Sequence, residues 1–204
     1  MTSQTPSPDS GTRALSLRRT TSEVDVELKL DVDGSGRSRI DTGLPFLDHL
    51  LDALARHAHF DLELTARGDT HIDDHHTAED CAIALGRALL EVVEDRRGLA
   101  RFGFAFAPLD EALARAVVDL SGRPWAEIDL GLVRETIGTV ATENLTHFLT
   151  TLAFEGRFAL HVRMLSGAND HHRAEAAFKS TALALRAALA REGALVPSTK
   201  GVLG

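Results

Sequence analysis

The sequence predicts an α+β protein made of two internally duplicated half-domains, each running strands, helix, strand, helix, with sheets packed against helices. Three observations predict this class. Asp74-His75-His76-Thr77-Ala78-Glu79 recurs in pattern as Asp170-His171-His172-Arg173-Ala174-Glu175, an Asp-His-His-x-x-Glu signature in both places. His171 lies 96 residues after His75 and His147 lies 98 after His49, so one offset near half the chain carries the same chemistry twice. Strands also gather ahead of helices and are joined by tight turns, which favours α+β over a doubly wound parallel sheet.

Each element follows from local pattern. Ala14 to Thr20 reads as a short strand. Val24, Val26, Leu28, Leu30 and Val32 alternate with charged residues, the period of two expected of a half-buried strand. Asp33-Gly34-Ser35-Gly36 is a turn, and Arg37 to Asp41 is expected as the returning hairpin partner. Gly43-Leu44-Pro45 opens a helix over Phe46 to Ala58, whose apolar positions 47, 50, 51 and 54 form one stripe. Phe60, Leu62 and Leu64 alternate in a further strand that Gly68-Asp69 ends, and a long helix starts at His75 and runs to about Glu94. The second half repeats the order. Arg101 to Ala107 is the counterpart of the first strand, and Ala112 to Leu120 is a strand followed by the turn Ser121-Gly122-Arg123-Pro124. Trp125 to Leu130 is a strand, Thr142 to Phe154 a helix, Phe158 to Leu165 a strand, and Asp170 to Arg191 an alanine-rich helix. The expected division is a disordered tail at 1–12, half-repeats at 13–98 and 99–193, and a C-terminal segment at 194–204.

Composition narrows the function. A net charge of −8 without a basic run argues against nucleic-acid binding, and no apolar run is long enough for a bilayer. The Thr/Ser/Pro-rich start lacks the order of a secretory signal. Cys81 is the single cysteine, so no internal disulfide forms and a reducing cytosol is expected.

The paired histidine motifs carry the chemistry. Histidine is the commonest metal ligand, and His75 with Glu79, like His171 with Glu175, shares a helix face at i,i+4. Adjacent helical residues point about 100° apart, so His75 and His76 are suited to two different sites, as are His171 and His172. His49 and His147 hold equivalent places on the preceding helices and complete six histidines and two glutamates. Nitrogen and oxygen donors without thiolate disfavour a structural zinc site and suit Mn²⁺, Fe²⁺ or a similar divalent ion with positions open to substrate. The plainer alternative is a solvated helix start capped by Asp74 and Asp170, with His49 and His147 packed in a core. Lys179 continues the His171–Glu175 stripe where the first helix has Ile83, although spacing alone favours an ordinary surface lysine. Pro197-Ser198-Thr199-Lys200-Gly201, Arg101 and Arg123 are candidates for holding an anion. His57, His59, His71 and His161 are assigned to packing, surface or ligand-supporting duty. The residues alone therefore describe a duplicated protein with two divalent-metal sites acting on an anionic substrate. A dimetal phosphohydrolase and a metal-stapled scaffold are the rival classes.

The sequence resembles imidazoleglycerol-phosphate dehydratases of histidine biosynthesis from about Arg19 to Leu203. The likeness rests on Arg19-x-Thr21-x-Glu23, Phe46-Leu47-Asp48-His49, Gly68-Asp69-x-His71-Ile72-Asp73-Asp74-His75-His76-Thr77-x-Glu79-Asp80, Asp119-Leu120-Ser121-Gly122-Arg123-Pro124, His171-His172-x-x-Glu175 with Lys179, and Ser198-Thr199-Lys200-Gly201. Pro45, where the family usually has glycine, is a departure at a helix entry and touches no ligand. The resemblance implies a fold of the ribosomal-protein-S5-like type and a cytoplasmic hydro-lyase that removes water from imidazoleglycerol phosphate to give imidazole acetol phosphate. It implies two Mn²⁺ ions per active site and a homo-oligomeric 24-mer with sites between subunits. His49, His75, His76, Glu79, His147, His171, His172 and Glu175 are then the metal ligands. Arg101, Arg123, Ser198, Thr199 and Lys200 hold the phosphate, with Arg19 beside them, and Glu23 and Lys179 assist binding and proton transfer. The proton to be lost has no adjacent carbonyl, so the expected route runs through a metal-bound imidazolate and a diazafulvene-like intermediate.

Overall fold

A computed structural model describes residues 13–93 and 96–198. The expected tail, Glu94 at the expected helix end, and Thr199, Lys200 and Gly201 lie outside the described residues. The first half contributes β1 (Ala14–Thr20), β2 (Val24–Asp31), β3 (Ser38–Asp41), α1 (Pro45–Ala58), β4 (Asp61–Gly68) and α2 (His75–Val93). The second contributes β5 (Phe102–Leu109), β6 (Ala112–Asp119), β7 (Trp125–Asp129), β8 (Thr136–Ile137), β9 (Val140–Ala141), α3 (Thr142–Glu155), β10 (Ala159–Ser166) and α4 (Asp170–Leu189). No helix among the described residues is long and apolar enough to cross a membrane.

The α+β duplication expected from the sequence is the architecture observed. The two four-stranded sheets have the same order, β1-β2-β4-β3 and β5-β6-β10-β7. Alternation decides which face of each strand is buried: Val24, Val26, Leu28 and Leu30 of β2 turn inward with Leu62 and Leu64 of β4. It does not decide the neighbour, and here the expected hairpin fails. β3 does not return against β2; it runs parallel to β4 on the far edge, with Ile40 beside Leu64. Asp61 causes this by accepting the backbone N–H groups of Ser35 (2.8 Å) and Arg37 (3.0 Å), which ties the turn to the start of β4. β7 likewise runs parallel to β10 rather than pairing with β6. β8 and β9, too short to show any period, form a two-stranded ribbon unforeseen in the sequence.

The helices fill the space between the sheets. α4 packs on β5 and β6, α2 on β1 and β2, and the halves meet through two cross-pairs, α1 with α4 and α2 with α3. Small residues permit the approach. A Cβ on Gly103 of β5 would lie 1.9 Å from the Ala184 carbonyl oxygen, and one on Gly86 of α2 would lie 2.8 Å from Glu155 Cβ. The core is continuous across both halves and includes Leu50, Leu54, Phe148 and Phe178. Pro45 sits in the first turn of α1, where its missing N–H has no intrahelical partner to lose, so this departure suits the helix entry.

The two sheets present unlike outer faces. The first carries ion pairs, Arg18 with Asp25 (2.7 Å) and Lys29 with Glu63 (2.9 Å). The second exposes Phe102, Phe104, Phe106, Val117 and Trp125.

Candidate metal centres

The cross-pairs of helices assemble two triads, each drawn from both halves. His49 of α1 meets His171 and Glu175 of α4; His147 of α3 meets His75 and Glu79 of α2. In each triad the ligand atoms lie within 4.8 Å of one another. Glu175 Oε2 is 2.9 Å from His49 Nε2 and 3.3 Å from His171 Nε2, and Glu79 Oε1 is 2.8 Å from His147 Nε2. The i,i+4 spacing places the histidine and glutamate of each long helix on one face, and the cross-packed shorter helix brings the third group. Sequence reasoning named these residues; their pairing across halves was not legible in it.

Helix entry fixes the register of each triad. Asp73 Oδ1 accepts the His75 N–H (2.9 Å), and Asn169 Oδ1 caps α4 through the His171 N–H (2.9 Å). Asp74 and Asp170, the alternative caps, do other work. Asp74 accepts the Ala141 N–H at the start of α3 (2.8 Å), and Asp170 accepts the N–H groups of Val133 and Arg134 (2.9 and 2.7 Å). Both therefore tie the ligand helices to the segment that precedes α3.

The donor set fits a divalent cation. His75 Nδ1 is 3.0 Å from the side-chain oxygen of the buried Asn144, an acceptor that holds the proton on Nδ1 and leaves Nε2 as the donor atom. The rings of His75 and His147 stack at 4.9 Å, and Phe46 packs on His171 at 5.1 Å. Lys179 Nζ lies 2.6 Å from Glu175 Oε1. Burial raises the Glu175 pKa, but the hydrogen bonds from Lys179 and His49 and the Lys179 charge more than offset it and hold it at about 2. Glu175 is thus an anion, ready to coordinate. The expected surface role of Lys179 yields to this pairing.

The remaining histidines of the motifs stand apart from both triads. Ring planes of His75 and His76 differ by 74°, and those of His171 and His172 by 86°. His76 Nδ1 lies 3.0 Å from Asp69 Oδ2 and 3.8 Å from Glu23 Oε2. His172 Nδ1 lies 2.7 Å from Glu111 Oε2. Glu111 and Asn144 were not singled out from the sequence, and Asp69 was named only within the shared motif, without a role. Glu111 was findable, since it precedes β6 as Glu23 precedes β2.

The anion candidates are placed as follows. Arg101 grips Asp119 through Nε (2.7 Å) and Nη2 (3.1 Å) and donates to the Pro197 carbonyl (2.8 Å), which brings it beside Ser198. Arg123 is exposed in the turn before β7. Arg19 is tied to Asp80 of α2 at 2.7 Å. Glu23 is exposed at the β1–β2 turn, and Thr199 and Lys200 lie outside the described residues.

Known proteins share this sequence and fold. The sequence profile of imidazoleglycerol-phosphate dehydratase matches residues 42–185. The dehydratase of Candida glabrata is 50% identical over 92% of this chain and 98% of its own length. That of Phytophthora nicotianae is 53% identical over 95% of this chain, which spans 43% of that longer protein. The crystal structure of the Pyrococcus furiosus enzyme is similar with a TM-score of 0.80 at 39% identity, covering 92% of this chain and all (100%) of that one. The Staphylococcus aureus structure gives 0.79 at 35%, covering 87% and 99%. With profile, full-length relatives and fold in agreement, this chain belongs to the imidazoleglycerol-phosphate dehydratase family.

Proposed function

We propose that this member of the family dehydrates imidazoleglycerol phosphate to imidazole acetol phosphate, a step of histidine biosynthesis, with divalent metal ions held by its two His-His-Glu triads. The observation that carries the metal reading is the double occurrence of the triad, each with its ligand atoms within 4.8 Å. We read the ions as two Mn²⁺ per active site, because six-coordinate nitrogen and oxygen sites suit Mn²⁺. His76 and His172 serve as the further ligands.

The active site joins more than one chain. The Arg101 N–H donates to the Ala188 carbonyl at the far end of α4, thirteen residues beyond Glu175. At ~1.5 Å per residue that is about 20 Å, further than a three-carbon chain between ring and phosphate reaches. The Arg101 backbone is thus set well along α4 from the Glu175 triad of its own chain, which supports the reading that Arg101 and that triad serve different substrate molecules. A homo-oligomer, read as a 24-mer, closes that gap by supplying each from a neighbour. The turning of His76 and His172 away from the ring planes of the triad histidines and the exposed aromatic face of the second sheet support such contacts. A cytoplasmic setting suits the lone, buried Cys81.

A divalent ion bound at the triads supplies a Lewis acid that stabilises negative charge on the substrate imidazole. The chain's own groups do the rest. Arg101, Arg123, Ser198, Thr199 and Lys200 grip the phosphate and orient the glycerol chain, while Arg19 braces β1 against α2 through Asp80. Lys179, held by Glu175, carries a proton at Nζ for the departing hydroxyl, which leaves as water. Glu23 has no hydrogen bond to its carboxylate among the described residues, and it takes the proton from the neighbouring carbon. The resulting enol ketonises.

A ketone assay on protein stripped of metal and titrated with Mn²⁺ tests the proposal. Ketone should appear as about two ions bind per chain, with phosphate remaining esterified. Ketone formation independent of added metal would refute the metal reading, and release of inorganic phosphate would favour a phosphohydrolase.

A further inference from the structure

Both halves leave one histidine outside the triad, and both give that histidine a carboxylate at Nδ1. The carboxylates come from different places. In the second half it is Glu111, on the turn between β5 and β6. Its Oε2 lies 2.7 Å from His172 Nδ1, and its Oε1 accepts the backbone N–H groups of Ala168 (3.1 Å) and Asn169 (2.9 Å). Glu111 thus binds the ring and the loop that launches α4 in one grip. His172 and Glu111 also border an open hollow of about 920 Å³.

In the first half the equivalent of Glu111 is Glu23, because each directly precedes the second strand of its sheet. Glu23 does not make the same grip. Its carboxylate stays 3.8 Å from His76 Nδ1 and is 52% exposed. Asp69 stands there instead, with Oδ2 at 3.0 Å and Oδ1 at 3.3 Å from that nitrogen, and it is only 14% exposed. The matching position of the second half, directly after β10, is Gly167, which has no side chain to offer.

We propose that Asp69 and Glu111 are positioning residues that hold His76 and His172 with the proton on Nδ1 and Nε2 presented to a metal ion, and that Asp69's taking this task is what leaves Glu23 free for proton transfer. A carboxylate on the distal nitrogen fixes the tautomer and the ring plane and makes the coordinating nitrogen more basic. The halves then differ by one exchange. Where Asp69 exists, the turn glutamate is released; where Gly167 replaces it, the turn glutamate is engaged. The inference rests on His76 and His172 being ligands, as proposed above.

The test measures Mn²⁺ affinity by following free Mn²⁺ by electron paramagnetic resonance, on the assembled protein, with circular dichroism as the folding check. Glu111→Ala and Asp69→Ala should each weaken Mn²⁺ binding by about 10–100-fold. Glu111→Gln and Asp69→Asn keep an accepting oxygen and should recover most of that loss, which a general loosening of the loops would not predict. Glu23→Gln should bind Mn²⁺ as the parent does. Parent-like affinity in both alanine variants, with His172→Ala losing Mn²⁺, would overturn the positioning role and leave the ligand assignment standing. Parent-like affinity in His76→Ala and His172→Ala would instead remove the ligand assignment itself. If Glu111→Ala does not fold, the Asp69→Ala and Asp69→Asn pair decides.

Discussion

Replacing Lys179 by methionine removes an ammonium 2.6 Å from Glu175 Oε1 while keeping the length and apolar stem of the side chain. The two side chains are 19% and 12% exposed, so water screens the pair only partly. A charge-assisted hydrogen bond contributes about 1.5–3 kcal/mol, and stranding one member of a fully buried pair costs about 3–5 kcal/mol. Glu175 keeps His49 at 2.9 Å and His171 at 3.3 Å, so the cost in metal-free protein should sit at the lower end, about 2–3 kcal/mol. For a chain of this size that is a fall in melting temperature of about 4–12 °C. A cation at the triad neutralises Glu175 by other means, so the fall should shrink to less than half when Mn²⁺ is present. Calorimetry of Lys179→Met and the parent, at equal concentration with and without Mn²⁺, reads both values. The pH dependence has a fixed sign. Glu175 is held at about 2, below its ordinary 4.5, so its stabilisation is present above 4.5 and is lost as pH falls toward 2. The gap between variant and parent should close over that window. An equal loss with and without Mn²⁺ would refute the reasoning, for Lys179 would then matter by packing rather than by charge.

Other perturbations probe the frame and the chemistry. Gly103→Ala forces a methyl against the Ala184 carbonyl, and should destabilise by at least about 1–3 kcal/mol in denaturant unfolding, with the slope unchanged. Asp61→Asn loosens the turn that sends β3 to the far edge. The Arg37 hydrogen bond, followed by the N–H groups of Ser35 and Arg37, holds the Asp61 pKa far below its ordinary 3.8. Its stabilisation is therefore complete above that pH, so the melting difference from the parent should be full at pH 6 and shrink below pH 4. Glu23→Gln should lower turnover by about 10²–10⁴-fold in the ketone assay with Mn²⁺ content unchanged; unaltered turnover would take Glu23 out of proton transfer.

What the sequence displays and what it conceals divide along a physical line. Periodicity shows which face of a strand or helix is buried, so β2, β4, α1 and the long ligand helices were readable from alternation and apolar stripes. Motif spacing shows which side chains share a helix face, so His75 with Glu79 and His171 with Glu175 were readable too. Neither signal says what lies opposite. The position of β3 beside β4 depends on Asp61 capturing a turn 24 residues upstream, a contact between polar groups that leaves no period. The crossing of α2 onto α3 depends on close approach at Gly86, so His147 was visible as a candidate ligand while its partnership with the other half was not. Glu111 was hidden differently. Its match to Glu23 shows only when the β1–β2 and β5–β6 turns are aligned, and that offset is 88 residues rather than the 96 that joins the histidine motifs.

Near-symmetry of the two triads invites the idea that their metal sites are interchangeable, and Lys179 denies it. Counting formal charge, His49, His171, Glu175 and Lys179 sum to zero, whereas His75, His147 and Glu79 sum to −1, because Ile83 stands where Lys179 would be and Asn144 adds none. On these groups alone, a divalent cation would meet a neutral cradle at one triad and an attractive one at the other. The two should fill in sequence, the Glu79 triad first, and the Glu175 triad becomes the exchangeable position, emptied soonest as the cation grows scarce.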